Sequence, residues 1–150
     1  MSLITIASAR SVWRGYEYYK ENSVLESVKI SDSKIKGIVS GSGNNHYDVL
    51  IDIEHPRKSK CNCPHADGRR IVCKHMVALF FNSFTQEANN YYAEVVAYEL
   101  EEEKRQEELE NKIDNYINSL NKNELKLLVY ELLYNLPEWQ YEEFIRMYIE

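Results

Sequence analysis

The apolar positions change period several times along the chain, and each change predicts an element. Ala9, Val12, Trp13, Tyr16 and Tyr19 recur at three- and four-residue steps. That spacing predicts a helix capped by Ser8, with Trp13 and Tyr16 on its core face and Asn22 as a left-handed exit residue. From Val24 the period shortens. Residues 24–31 and 34–40 read as strands joined across Asp32-Ser33, followed by the turn cluster Gly41-Ser42-Gly43-Asn44-Asn45. Tyr47, Val49, Ile51 and Ile53 then alternate with Asp48, Leu50, Asp52 and Glu54, the pattern of a strand with one apolar and one mostly wet face. Pro56 ends it, because proline has no N–H to give a ladder. Residues 58–74 lack a regular period. Residues 72–84 are apolar on most sides (Met76, Val77, Ala78, Leu79, Phe80, Phe81), which predicts a helix buried against the apolar face of the sheet.

Beyond Thr85 every pattern is helical. Glu101 to Glu108 contains no apolar residue and reads as a solvated helix laced by pairs such as Glu101 with Arg105. Leu109, Ile113, Tyr116, Ile117 and Leu120 resume an apolar stripe. Asn121 with Glu124 forms a start signal for a helix carrying Leu125, Leu128, Val129, Leu132, Leu133 and Leu136. Pro137 opens a last helix with Tyr141, Phe144, Ile145 and Tyr148 on one side.

Composition sharpens this division. The 150 residues are 44% hydrophobic and 28% charged with a net charge of -6, enough apolar content for a folded core. Residues 1–83 hold twelve lysines and arginines against eight acids, whereas residues 84–150 hold six against sixteen. Only the first half offers a cationic face to an anionic partner, and the acidic half opposes tight nonspecific binding to DNA. No apolar run reaches the roughly 18–20 residues of a membrane span, which excludes an integral helical membrane protein. Ala7-Ser8-Ala9 resembles a signal-peptidase site but lacks a basic lead-in, so a cytoplasmic location is expected.

The irregular stretch carries the chemistry. Cys61-Asn62-Cys63 and Cys73-Lys74-His75 are two pairs of metal-ligating residues with the same step. Residues two apart on extended chain point to the same side, and Pro64 pushes Cys63 towards extended geometry. In a helix such neighbours diverge, so Cys73 is expected at or before a helix cap with His75 in the first turn. Asp67-Gly68 is the turn that brings the pairs together. Three thiolates and one imidazole form the closed tetrahedral set of structural zinc, and three cysteines cannot all pair as disulfides within the chain. One Zn²⁺ held by Cys61, Cys63, Cys73 and His75 is therefore the expected cofactor. The fold class follows as α+β: an N-terminal helix, a three-stranded antiparallel sheet and a zinc-bound loop leading into a buried helix, then an all-α C-terminal extension. Residues 1–84 form the expected module, with its zinc-binding core at 47–84, and residues 85–150 the acidic helical extension.

Cys61-x-Cys63 followed by Cys73-x-His75 resembles the SWIM-type zinc finger, whose signature is C-x-C, a variable gap and C-x-H. Cys63-Pro64-His65, Cys73-Lys74-His75 and the apolar helix behind them are similar to the bacterial branch. So are Arg14-Gly15-x-x-Tyr18 and Gly41-Ser42, while Asn22 stands where many relatives have glycine. The resemblance covers residues 8–84 and implies zinc binding with a role in DNA or protein interaction. No Walker motif accompanies it, so the chain resembles a stand-alone version of the module without an ATPase.

Arg57, Lys58, Lys60, Arg69, Arg70 and Lys74 crowd the metal loop. Two readings stand for them: a surface contacting phosphates or another partner, or cations offsetting the single negative charge left when three thiolates bind Zn²⁺. His65, His46 and His55 are expected to face solvent. The expectation is a non-enzymatic adaptor in protein or DNA interaction, with a homodimer contact through the C-terminal helices as one further association. The alternatives are a metal-dependent hydrolase, which would need an open coordination position and a base such as Asp67 or His65, and a purely structural subunit docking through the acidic helices.

Overall fold

The computed structural model describes residues 2–150 and divides them at Val96/Ala97 into two compact units, Met1–Val96 and Ala97–Glu150. The first opens with the short helix α1 (Leu3–Ile6) and α2 (Ala9–Lys20). The Ser8 hydroxyl caps α2 by accepting the Ser11 N–H, and Asn22 leaves it with φ 55°, the left-handed exit read from the sequence. Three strands follow, β1 (Val24–Ser31), β2 (Lys34–Ser40) and β3 (His46–Asp52), and then a single 3-10 turn at Pro56–Lys58.

The expected three-stranded sheet has a fourth member. β4 (Lys60–Cys61) pairs antiparallel with β3 through Val49↔Cys61 and Leu50↔Lys60, giving the order β1-β2-β3-β4. Two residues are too short to show a period, so this strand is invisible in the hydrophobic pattern. Helix α3 spans Lys74–Ser83, with Cys73 as its N-cap residue, and starts two residues later than expected.

The core lies between the sheet and the two helices α2 and α3. Phe81, Met76, Leu79 and Val77 of α3 meet Val49 and Ile51 of β3, Ile35 and Val39 of β2, and Val12 and Tyr16 of α2. The two helices approach closely at Gly15, where an added Cβ would lie 2.9 Å from the Lys74 carbonyl oxygen and still closer to the Val77 side chain. Trp13 departs from its expected place: it is 40% exposed while Tyr16 is buried, because only one edge of α2 faces α3. β1 sits at the sheet edge with Leu25, Val28 and Ile30 exposed.

Helix α4 (Thr85–Ser119) begins inside the first unit, where Ala88 is fully buried and Tyr91 packs against the core. For that reason the first compact unit extends past residue 84. The second unit holds the remainder of α4, α5 (Lys122–Tyr134) and α6 (Glu138–Tyr148). The capping box read from Asn121 and Glu124 is formed in full, and Pro137 occupies the N-cap of α6. Among the described residues no helix is long and apolar enough to cross a membrane.

Candidate metal centre

Each ligand position is set by its local backbone. β4 pins Cys61 to the sheet through the Val49 pairing. Beyond it, the Asn62 side chain accepts the Asp48 N–H at 2.9 Å and ties the loop to β3. A turn follows Cys63, whose carbonyl accepts the amides of Ala66 and Asp67, and Gly68 reverses the chain at φ 66°. The chain returns in extended form to Cys73, and His75 lies in the first turn of α3, so the second ligand pair straddles the helix cap.

The four side chains converge: their ligand atoms all lie within 4.8 Å of one another, and none of the four residues is more than 4% exposed. His75 Nδ1 lies 3.7 Å from Cys61 Sγ and 3.9 Å from Cys73 Sγ. A tetrahedral Zn²⁺ with bonds of about 2.3 Å to sulfur and about 2.05 Å to nitrogen spaces those atoms about 3.6 Å apart. The donor set and its spacing therefore fit zinc.

Ionisation of the thiols supports the same conclusion. Cys73 is lowered to about 4, first by the hydrogen bond from the Cys61 thiol, against the effect of burial, with His75 and the Met76 amide also favouring its thiolate. Cys61 is pushed up because it donates in that bond and is buried, and Cys63 is pushed up chiefly by burial. Three thiolates this close and this dry require a dication between them.

The imidazole is oriented by neighbours that the sequence did not point to. The Tyr47 ring lies 4.6 Å and the Tyr18 ring 5.5 Å from it, centroid to centroid. His75 Nε2 is buried and has no hydrogen-bond partner among the described residues. Ring packing takes the place of the carboxylate or carbonyl that commonly fixes a ligating histidine.

The cations named beside the loop separate into two groups. Arg57, Lys58, Lys60, Arg69 and Arg70 line a cleft of about 940 Å³, which Lys34 and Lys36 of β2 also enter. The register explains the addition: Lys36, Leu50 and Lys60 form one cross-strand row, and Lys34 pairs with Asp52. Lys34 and Lys36 share a strand face because they are two residues apart, but only the strand order shows that this face meets the loop. Three acids, Asp48, Asp52 and Asp67, line the same cleft; Asp52 is buried and accepts the His55 N–H at 2.7 Å. Lys74 does not join this group. Its ammonium donates to the Tyr18 hydroxyl and sits 4.0 Å from the centre of that ring, in a smaller cleft with Arg10, Arg14 and His65. At the first position of α3 it is carried away from the sheet face. His46, His55 and His65 are exposed.

Residues 47–83 match the family model of the SWIM zinc finger. No curated protein and no solved structure matches the chain. The match begins in β3 and ends with α3, so the similarities at Arg14-Gly15 and Gly41-Ser42 lie outside it. Motif, spacing and convergent geometry agree: residues 47–83 of this chain are similar to the SWIM-type zinc finger, and Cys61, Cys63, Cys73 and His75 form the site of a single structural zinc.

Proposed function

We propose that this chain is a non-enzymatic, cytoplasmic adaptor whose finger engages the phosphate backbone of DNA through the cleft beside the metal loop. One observation carries the reading: seven cationic side chains, from β2, the turn after β3, β4 and the loop tip, line a single concavity against three acids. Clustered lysines and arginines contribute counterion release on contact with phosphates. No aromatic side chain lines the cleft, so it lacks a base-stacking platform and its contacts are expected to be independent of sequence. Zinc serves the fold: Cys61 and Cys63 hold β4 and the loop to the start of α3, and Arg69 and Arg70 are thereby presented at the cleft.

Reversing both loop-tip charges, Arg69→Glu with Arg70→Glu, tests this. Binding to short duplex DNA at low salt should fall by roughly tenfold or more, and the log–log salt slope should become shallower by about 2. Unchanged affinity would remove the DNA reading. Salt-insensitive binding to a protein would favour the other adaptor role. If these cations serve instead to offset the zinc-thiolate charge, the same variant would lose zinc while its residual binding kept the original slope.

A further inference from the structure

The smaller cleft, of about 280 Å³, lies between the start of α2, the metal loop and the start of α3. Ser8, Arg10, Ser11 and Arg14 line it from α2 and its cap, His65 from the loop and Lys74 from α3. It borders the metal centre through Cys63, Cys73 and His75, but Cys61 does not line it. The cleft is thus a space beside the ligand quartet and not the ligand cavity itself. We propose that it binds a terminal phosphate, the dianion of inorganic phosphate or of a phosphate at the end of a nucleic acid strand. This goes beyond the DNA reading and does not depend on it, because the two clefts share no residue.

Charge and unspent donors both call for an anion. No acid lines this cleft, whereas three stand among the cations of the larger one, and Glu17, the one acid of α2, lines neither. Among the described residues Arg10, Arg14 and Lys74 form no ion pair. Arg10 and Lys74 stand in the first turns of α2 and α3, neither of which carries an acid there, so each cation meets the positive end of a helix. The metal centre offsets only part of this charge. Three thiolates on Zn²⁺ leave one negative charge against three permanent cations, and the surplus is that of a phosphate dianion. Donors are left over as well. Ser11 is 9% exposed, and its hydroxyl accepts from Ser8 at 3.0 Å. Its own O–H has no acceptor among the described residues. Lys74 gives Tyr18 one of its three N–H donors. Arg10 and Arg14, one turn apart, add guanidinium forks that match phosphate oxygens. The volume falls below the roughly 300–1,000 Å³ of a small-molecule pocket, so the phosphate enters and whatever it is esterified to stays outside.

Amide chemical shifts of the full zinc-loaded chain, titrated with inorganic phosphate at constant ionic strength, test the proposal. Amides of residues 8–14 and 73–75 should shift saturably, while those of residues 57–60 and 69–70 stay in place. Arg10 and Arg14 are exposed, so Arg10→Gln with Arg14→Gln should keep the zinc. It should weaken phosphate binding by roughly tenfold or more, the loss of charge-assisted hydrogen bonds. Arg69→Glu with Arg70→Glu, the variant that tests the DNA reading, should leave phosphate binding unchanged, so the two readings fail separately. A single strand ending in a 5′-phosphate, compared with the same strand ending in a hydroxyl, identifies the source. A preference for the phosphorylated strand that the Arg10/Arg14 variant loses assigns a strand end; equal binding of the two strands assigns free phosphate. A wild-type chain whose amides at 8–14 and 73–75 do not shift would overturn the proposal. So would shifts confined to residues 57–70, or an Arg10/Arg14 variant that binds phosphate like wild type. Loss of zinc from that variant would also overturn it, by making the two arginines counter-charges of the metal centre.

Discussion

Both compact units are rich in large apolar side chains, yet only one of them hides them. Every buried side chain among the described residues lies at or before Ala88, whereas in residues 97–150 leucines, tyrosines and a tryptophan stand in water. Both units have the periodicity of amphipathic elements. They differ in what those elements are given to pack against. In the first, a sheet offers a broad face to α3, α2 covers the other side, and the metal loop closes the end. In the second, helices follow one another with no sheet between them. An apolar stripe dictates a helix; a core additionally requires a second surface that converges on it.

Metal removal should separate the units most sharply. Structural zinc contributes on the order of 10 kcal/mol in small fingers, as much as the whole stability of a typical domain. Chelation, or Cys61→Ser, should therefore abolish the cooperative melting of the first unit and the near-ultraviolet signal of its packed tyrosines, while helical signal from residues 97–150 persists. Retention of the transition at its original temperature after verified zinc loss would break the comparison. A smaller effect is expected in the core. Phe81→Ala removes a fully buried ring that touches Tyr16, Tyr19 and Tyr91 and should cost about 3–5 kcal/mol in denaturant melts of the holo chain. The smallest belongs to the second unit: Asn121→Ala deletes the capping box of α5 and should cost about 1 kcal/mol, read as a small loss of helical signal without change in bound zinc. A large drop in zinc occupancy in that last variant would show that the units are energetically coupled.

Local signals were legible in the sequence wherever one residue type has one physical use. Ser8 as a cap, Asn22 as a left-handed exit, the Asn121–Glu124 box and the alternation from Tyr47 to Ile51 each act within a few residues, and each is found in place; the strand itself ends at Asp52, which is buried where the pattern put it on the wet face. The ligand quartet was equally legible, because two short-step pairs of soft donors have few other uses. Features fixed by tertiary neighbours were not. β4 exists because β3 offers it a partner, and Lys34 and Lys36 reach the cleft only through the strand order. Lys74 leaves the cationic group because the first turn of α3 delivers it to Tyr18. Trp13 has core-like spacing but lies on an edge of α2 that leaves it 40% exposed.

The depth of the four ligands has a kinetic consequence. With none of the four ligand residues more than 4% exposed, a competing chelator finds little of the centre to attack until β4 peels from β3 or the start of α3 frays. Exchange of the ion is then governed by how often the finger opens and not by how hungry the competitor is. A zinc scavenger added in growing excess would reach a plateau rate, and that plateau would serve as a clock for the opening of the finger itself.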